Sequence, residues 1–225
     1  MQSSEHATPG QADIENRIKK ACKQASRNLS DVQLIAVSKR QRMERIQASL
    51  DSGFKCFGEN QVQEAVSKWE PLKLNHPDLK LHLIGALQSN KVADAVRLFD
   101  FIHTVDRDKI AKMLSLEMRK QNKKISCFIQ VNTGLEPQKS GIKPKNVSEF
   151  VKTCSHDYGL SITGLMCIPP INEDASPHFA FLNKLAKQVG LKSLSMGMSA
   201  DFENAIRLGA THIRIGSAFF GSRDY

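Results

Sequence analysis

The sequence has no CxxC pair, no histidine cluster at metal-ligand spacing and no apolar run long enough to span a bilayer. Its five cysteines, Cys22, Cys56, Cys127, Cys154 and Cys167, are odd in number. Three of them lie in or beside apolar stretches, where a reduced Cys acts as a small hydrophobe, so neither a disulfide nor a metal site is expected. Aromatic residues are scarce at 6%, which weakens a nucleic-acid reading of the +9 net charge. The basic residues are scattered along helical stretches, as in Arg17, Lys19, Lys20 and Lys23 or Lys109, Lys112, Arg119, Lys120, Lys123 and Lys124. Acids such as Asp108 and Glu117 interrupt them, and solvated helix faces account for the pattern. Residues 1–10 are polar and lack the apolar core of a signal peptide, so a disordered tail and a cytoplasmic protein are expected.

What the sequence does contain is regular alternation. Its 225 residues, 40% hydrophobic and 24% charged, suit one soluble domain, near the roughly 250 residues of a (β/α)8 barrel. Leu34-Ile-Ala-Val37 is apolar throughout, as in a strand buried on both faces of a parallel sheet. Helical spacing over 13–27 precedes it and predicts an extra helix closing the barrel bottom. Further strands are expected near 55–58, 79–87, 101–105, 125–131, 162–168, 193–198 and 211–220. Helices fall between them, with 71–77 a loop, Asp106 an N-cap and Ser199 the start of a helix. A closed (β/α)8 TIM barrel over residues 11–225 is the simplest arrangement. A doubly wound sheet is disfavoured because no GxGxxG follows the first strand.

In such a barrel the functional rim lies at the C-terminal ends of the strands. Those ends collect Lys39, Asn60, Gln88 to Asn90, Asn132, Ser199 and Arg214-Ile-Gly-Ser217. This set lacks paired carboxylates and a Ser-His-Asp arrangement, leaving hydrolytic chemistry little support. A desolvated lysine at a strand end has the chemistry to attack aldehydes. Ser199, Gly216 and Ser217, after strands 7 and 8, suit a phosphate. Lysine, phosphate cradle and Arg214 together match the three handles of pyridoxal 5′-phosphate.

The runs Ala36-Val-Ser-Lys39, Phe57-Gly-Glu-Asn60, His82-Leu-Ile-Gly85, Leu87-Gln-Ser-Asn-Lys91, Gly164-Leu-Met166, Leu194-Ser-Met-Gly-Met-Ser-Ala-Asp201 and Ile213-Arg-Ile-Gly216 resemble the pyridoxal phosphate homeostasis protein family. The resemblance implies a fold-type III barrel similar to the N-terminal domain of alanine racemase. It implies a cofactor-binding set of Lys39, Asn60, Ser199, Arg214, Gly216 and Ser217. In that set Lys39 is the Schiff-base lysine, the serines and Gly216 hold the phosphate, and Arg214 faces the ring nitrogen. Lys139 falls where the racemases have an arginine near the ring hydroxyl. The family implies intracellular vitamin B6 homeostasis without an established turnover reaction; the cofactor and pyridoxal-phosphate-dependent client enzymes are the expected partners, and a monomer is expected although the sequence leaves a dimer open. The other function class is an amino-acid racemase or decarboxylase. Against it stands the expectation that the chain, ending at Tyr225 after the last strand, brings no second domain with an opposing acid or base.

Overall fold

A computed structural model describes residues 9–221. Eight parallel strands close into one barrel in chain order. They are β1 Gln33–Val37, β2 Cys56–Glu59, β3 Lys80–Leu83, β4 Phe101–Val105, β5 Ser126–Gln130, β6 Ser161–Met166, β7 Ser193–Ser195 and β8 His212–Ile215. The surrounding helices are α1 Pro9–Gln24, α2 Met43–Asp51, α3 Val62–Asn75, α4 Val92–Leu98, α5 Asp108–Lys120, α6 Val147–Lys152, α7 Ala175–Gln188, α8 Phe202–Arg207 and α9 Ser217–Phe220. The barrel closes where β1 meets β8, with Ile35 opposite Arg214 and Ala36 opposite Ile215. Along β8 the period of two separates Ile213 and Ile215 from His212 and Arg214.

The departures from expectation are local. The first helix begins at Pro9, where a missing N–H costs nothing, so of the expected tail only residues 1–8 lie outside the described part. It lies on the flank of the barrel instead of under its floor. Ile14, Ile18, Ala21 and Cys22 are buried, Arg17 pairs with Glu203 of α8, and Arg27 donates to the carbonyls of Ile206 and Ala210. Gly10 meets α9 so closely that a Cβ would collide with the Ala218 carbonyl.

Pro71 does not end α3. It removes one donor, but the buried Val62, Ala65 and Trp69 hold the helix, and His76 N–H still bonds the Leu72 carbonyl at 3.0 Å. Asp106 is not the N-cap of α5, a position taken by Arg107; its carboxylate pairs with the Arg107 guanidinium, which also donates to the Leu87 carbonyl. Ser199 does not open α8. The Asp201 carboxylate accepts the Met198 N–H at 2.6 Å, forming a turn that delays the helix to Phe202. The last strand is short, and α9 takes up the apolar run Ser217–Phe220.

Candidate functional site

Lys39 stands two residues beyond β1, half-buried, and its neighbours on both sides are fixed. Ser38 donates its N–H to the Gly58 carbonyl at 3.0 Å and its hydroxyl to Glu59 Oε1 at 2.7 Å. Glu59 is fully buried on β2 and also accepts from Lys68 Nζ and Trp69 Nε1, each at 2.9 Å. Lys68 reaches back to the Ser38 carbonyl at 2.8 Å and to Glu64 at 2.9 Å, while Glu64 accepts the Arg40 N–H at 2.6 Å. Arg40 adopts a left-handed φ of 54°, held by that bond. Burial pushes the Glu59 carboxyl above its ordinary pKa, with the Lys68 charge opposing.

Beside Lys39 lies a cleft of about 190 Å³, shared with Arg40, Asn60, Gln61 and Glu64. Asn60 reaches it because Gly85 has no Cβ to collide with the Asn60 carbonyl. Size does not mark this site, since a hollow of about 650 Å³ lies on the outer flank between α7 and the end of α8, away from the rim.

Arg214 forms the adjoining wall. Its backbone N–H bonds the Gly197 carbonyl at 3.0 Å, and its guanidinium is almost wholly buried. One arm donates to Ser195 Oγ at 2.7 Å and the other to the Cys167 carbonyl at 2.9 Å. Burial lowers its pKa from the ordinary arginine value. Beyond β8, Gly216 packs against Val37, where an added Cβ would lie 3.5 Å from the Val37 carbonyl oxygen. Ser217, exposed, is the first residue of α9, whose opening N–H groups precede the first helical bonds. Ser199 is half-buried in the loop after β7.

The expected residues therefore gather on one arc, β7–β8–β1–β2, whose strands are consecutive in the closed barrel. Lys139 stands apart from that arc. It follows β5, and its amine is held by Glu136 at 2.6 Å and the Pro169 carbonyl at 3.1 Å. On the same side Thr133, His178 and Glu173 are joined at 3.1 and 3.0 Å, clasping the loop after β5 to α7.

Sequence reading missed both supports of the site. Glu59 and Lys68 carried a signal, an acid and a base flanking the Asn60 motif. His82 and His103, buried inside the barrel, and the partly buried His212 gave none, because each sits within a short strand beside an apolar residue as any strand residue does. His82 stacks on Phe101 and His103 on Phe128, at centroid distances of 4.3 and 4.2 Å. Burial pushes all three imidazoles down, His212 to about 4, so they are neutral at pH 7.

Fold and rim together define a class: residues 12–224 match the family described as alanine racemase, N-terminal domain. An alanine racemase from Clostridium difficile shares the fold, with a TM-score of 0.71 at 14% identity over 95% of this chain and 57% of that one. Within that class the chain belongs to the pyridoxal phosphate homeostasis protein family. It is 40% identical to the Vibrio cholerae member over 100% of this chain and 97% of that protein. The structure of PipY from Synechococcus elongatus with pyridoxal phosphate bound superposes with a TM-score of 0.78 at 36% identity, covering 91% of this chain and 100% of that one. Both the barrel and the family expected from the sequence are thereby established. Among the described residues no helix is long and apolar enough to cross a membrane.

Proposed function

We propose that this protein binds pyridoxal 5′-phosphate on Lys39 and takes part in keeping that cofactor available, without turning over amino acids at a useful rate. The observation that carries the reading is the register at barrel closure. Ile35 opposite Arg214 and Ala36 opposite Ile215 bring the strand end of Lys39 beside Gly216 and Ser217. The Lys39 amine, the buried Arg214 cation and the small polar residues Gly216 and Ser217 thus belong to adjacent strand ends, and an added Cβ at Gly216 would stand in van der Waals contact with Val37. The bound form of PipY supports the choice of cofactor.

When bound, pyridoxal phosphate supplies an electron-withdrawing ring to an attached amine. Lys39 would hold the aldehyde carbon, and Asn60 lines the same cleft. Ser199 and Ser217 would offer hydroxyls to the phosphate, with the Gly216–Ser217 backbone alongside. Arg214 would serve as a donor toward the ring nitrogen and could not take its proton. A ring nitrogen left unprotonated withdraws electrons weakly, which supports carriage over catalysis. On this reading the protein works as a cytoplasmic monomer that supplies pyridoxal-phosphate-dependent client enzymes. Lys139 pairs with Glu136 in the loop after β5.

Incubation of the loaded protein with L- and D-alanine in deuterated water tests the carrier reading. Slow or absent α-proton exchange and no racemisation are expected. Several racemisation turnovers per second, abolished in Lys39→Ala, would assign the protein to the enzymes instead.

A further inference from the structure

Arg214 is the first member of a row of polar groups that runs through the barrel interior. Its Nη1 lies 2.7 Å from Ser195 Oγ, which lies 2.8 Å from His103 Nδ1. His103 Nε2 lies 2.9 Å from His82 Nδ1, and His82 Nε2 lies 3.3 Å from Cys56 Sγ. The five residues come from β8, β7, β4, β3 and β2, and each is buried. Neutral imidazoles and a serine hydroxyl could be ordered in either direction, but the guanidinium removes the choice. Arginine has donors only, so Ser195 Oγ must accept from it.

The hydroxyl still carries its own proton in a buried site. Among the described residues the acceptor within reach is His103 Nδ1. That nitrogen is therefore unprotonated, and neutral His103 carries its proton on Nε2. It donates to His82 Nδ1, which fixes His82 as the Nε2–H form, donating to the Cys56 sulfur. The opposite order, starting from the Cys56 thiol, would make Ser195 accept twice and leave its proton buried without a partner.

We infer that Ser195, His103 and His82 form a one-way hydrogen-bond chain, every bond donating away from the site, that positions Arg214 for the ring of the cofactor. This rests on the pyridoxal phosphate reading above. One arm of the guanidinium is tied through the chain to the walls at β3 and β4, and the other to the Cys167 carbonyl after β6. The arginine plane is thereby referenced to the far side of the barrel, whereas Lys39 is set by its own side. Ser195, His103 and His82 are positioning residues, since none of them need touch the cofactor.

Two measurements test the inference. In protein labelled with 15N at histidine, without cofactor, the ring correlations of His103 and His82 should both show the neutral Nε2–H tautomer at pH 7. A proton on His103 Nδ1 would overturn the chain. In pyridoxal phosphate titrations Ser195→Ala should weaken binding about tenfold, as expected for loss of one charge-assisted bond, and shift the absorbance band of the bound form. Its borohydride-fixed label should stay on Lys39. Ser195→Thr, which keeps the hydroxyl, should restore both affinity and band position. Unchanged affinity and band in Ser195→Ala would overturn the positioning role. A wild-type protein that took up no cofactor would overturn that role together with the proposed function, while the tautomers would still decide the direction of the chain in the unmodified protein.

Discussion

Lys39 and Arg214 stand at the ends of neighbouring strands, yet they are supported from different distances. The bonds that fix the residues flanking Lys39 join positions 20 to 30 apart: Ser38 to Gly58 and Glu59, Arg40 to Glu64, and Lys68 back to Ser38. The bonds behind Arg214 reach Ser195, 19 residues away, and then leap 92 residues to His103. The first support is an ion network built by two successive strand–helix units and open at its edge. The second is a neutral row sealed inside the barrel. The residues flanking Lys39 are thus held by a charged, local bracket, and the Arg214 guanidinium by bonds that cross the barrel.

The largest expected difference appears on acidification, because the interior support contains imidazoles and the local one contains carboxylates. His82, His103 and His212 would bind protons near pH 6.5 when unfolded but only at lower pH when folded. Stability is therefore complete above pH 6.5 and declines as pH falls toward the folded value, which is about 4 for His212. Each imidazole costs about 1.4 kcal/mol per pH unit in that window. Glu59, whose pKa is raised, works in the opposite sense and regains stability as it is protonated. Unfolding free energies from urea titrations at pH 7 and pH 5 should differ by several kcal/mol, with a lower midpoint at pH 5. Equal midpoints would mean that the imidazoles are not buried neutral.

Next in size is the local bracket itself. Glu59→Ala leaves the largely buried Lys68 with Glu64 as its remaining carboxylate and Trp69 Nε1 without its acceptor. A loss of about 3–5 kcal/mol is expected in urea unfolding, together with weaker labelling of Lys39. Labelling at the wild-type rate in folded Glu59→Ala would separate the bracket from the positioning of the lysine. The smallest effect belongs to the anion side. Ser199→Ala with Ser217→Ala should leave the unfolding midpoint in place and weaken cofactor retention by at most about 1.5–3 kcal/mol for each lost bond. Pyridoxal lacking its phosphate should bind wild type no better than the double variant does. If it binds wild type as tightly as the phosphorylated form, the cradle is misassigned.

The same contrast explains what the sequence disclosed. Buried parallel strands are written as short continuous apolar runs, so β1, β4 and β5 could be read directly, and the residues just past them could be placed on the rim. The rim position of Lys39 was legible for that reason, while Asn60, Gly216 and Ser217 follow the shorter β2 and β8, and Arg214 lies within β8. Helix starts were less legible, because the turn at Asp201 depends on a side-chain bond that composition does not announce, and α5 starts after Arg107, which makes no side-chain capping bond. Pro71 misled because tertiary burial of α3 outweighs one missing donor. The histidine chain was illegible because its members meet only when the barrel closes, and an inward His within a strand looks like any other alternating residue.

The most direct test of the account is to add pyridoxal phosphate, reduce with borohydride and map the modified peptide. A single label on Lys39, absent in Lys39→Ala, is the predicted result. A label on Lys91 or Lys139, or an unlabelled wild-type protein, would contradict it.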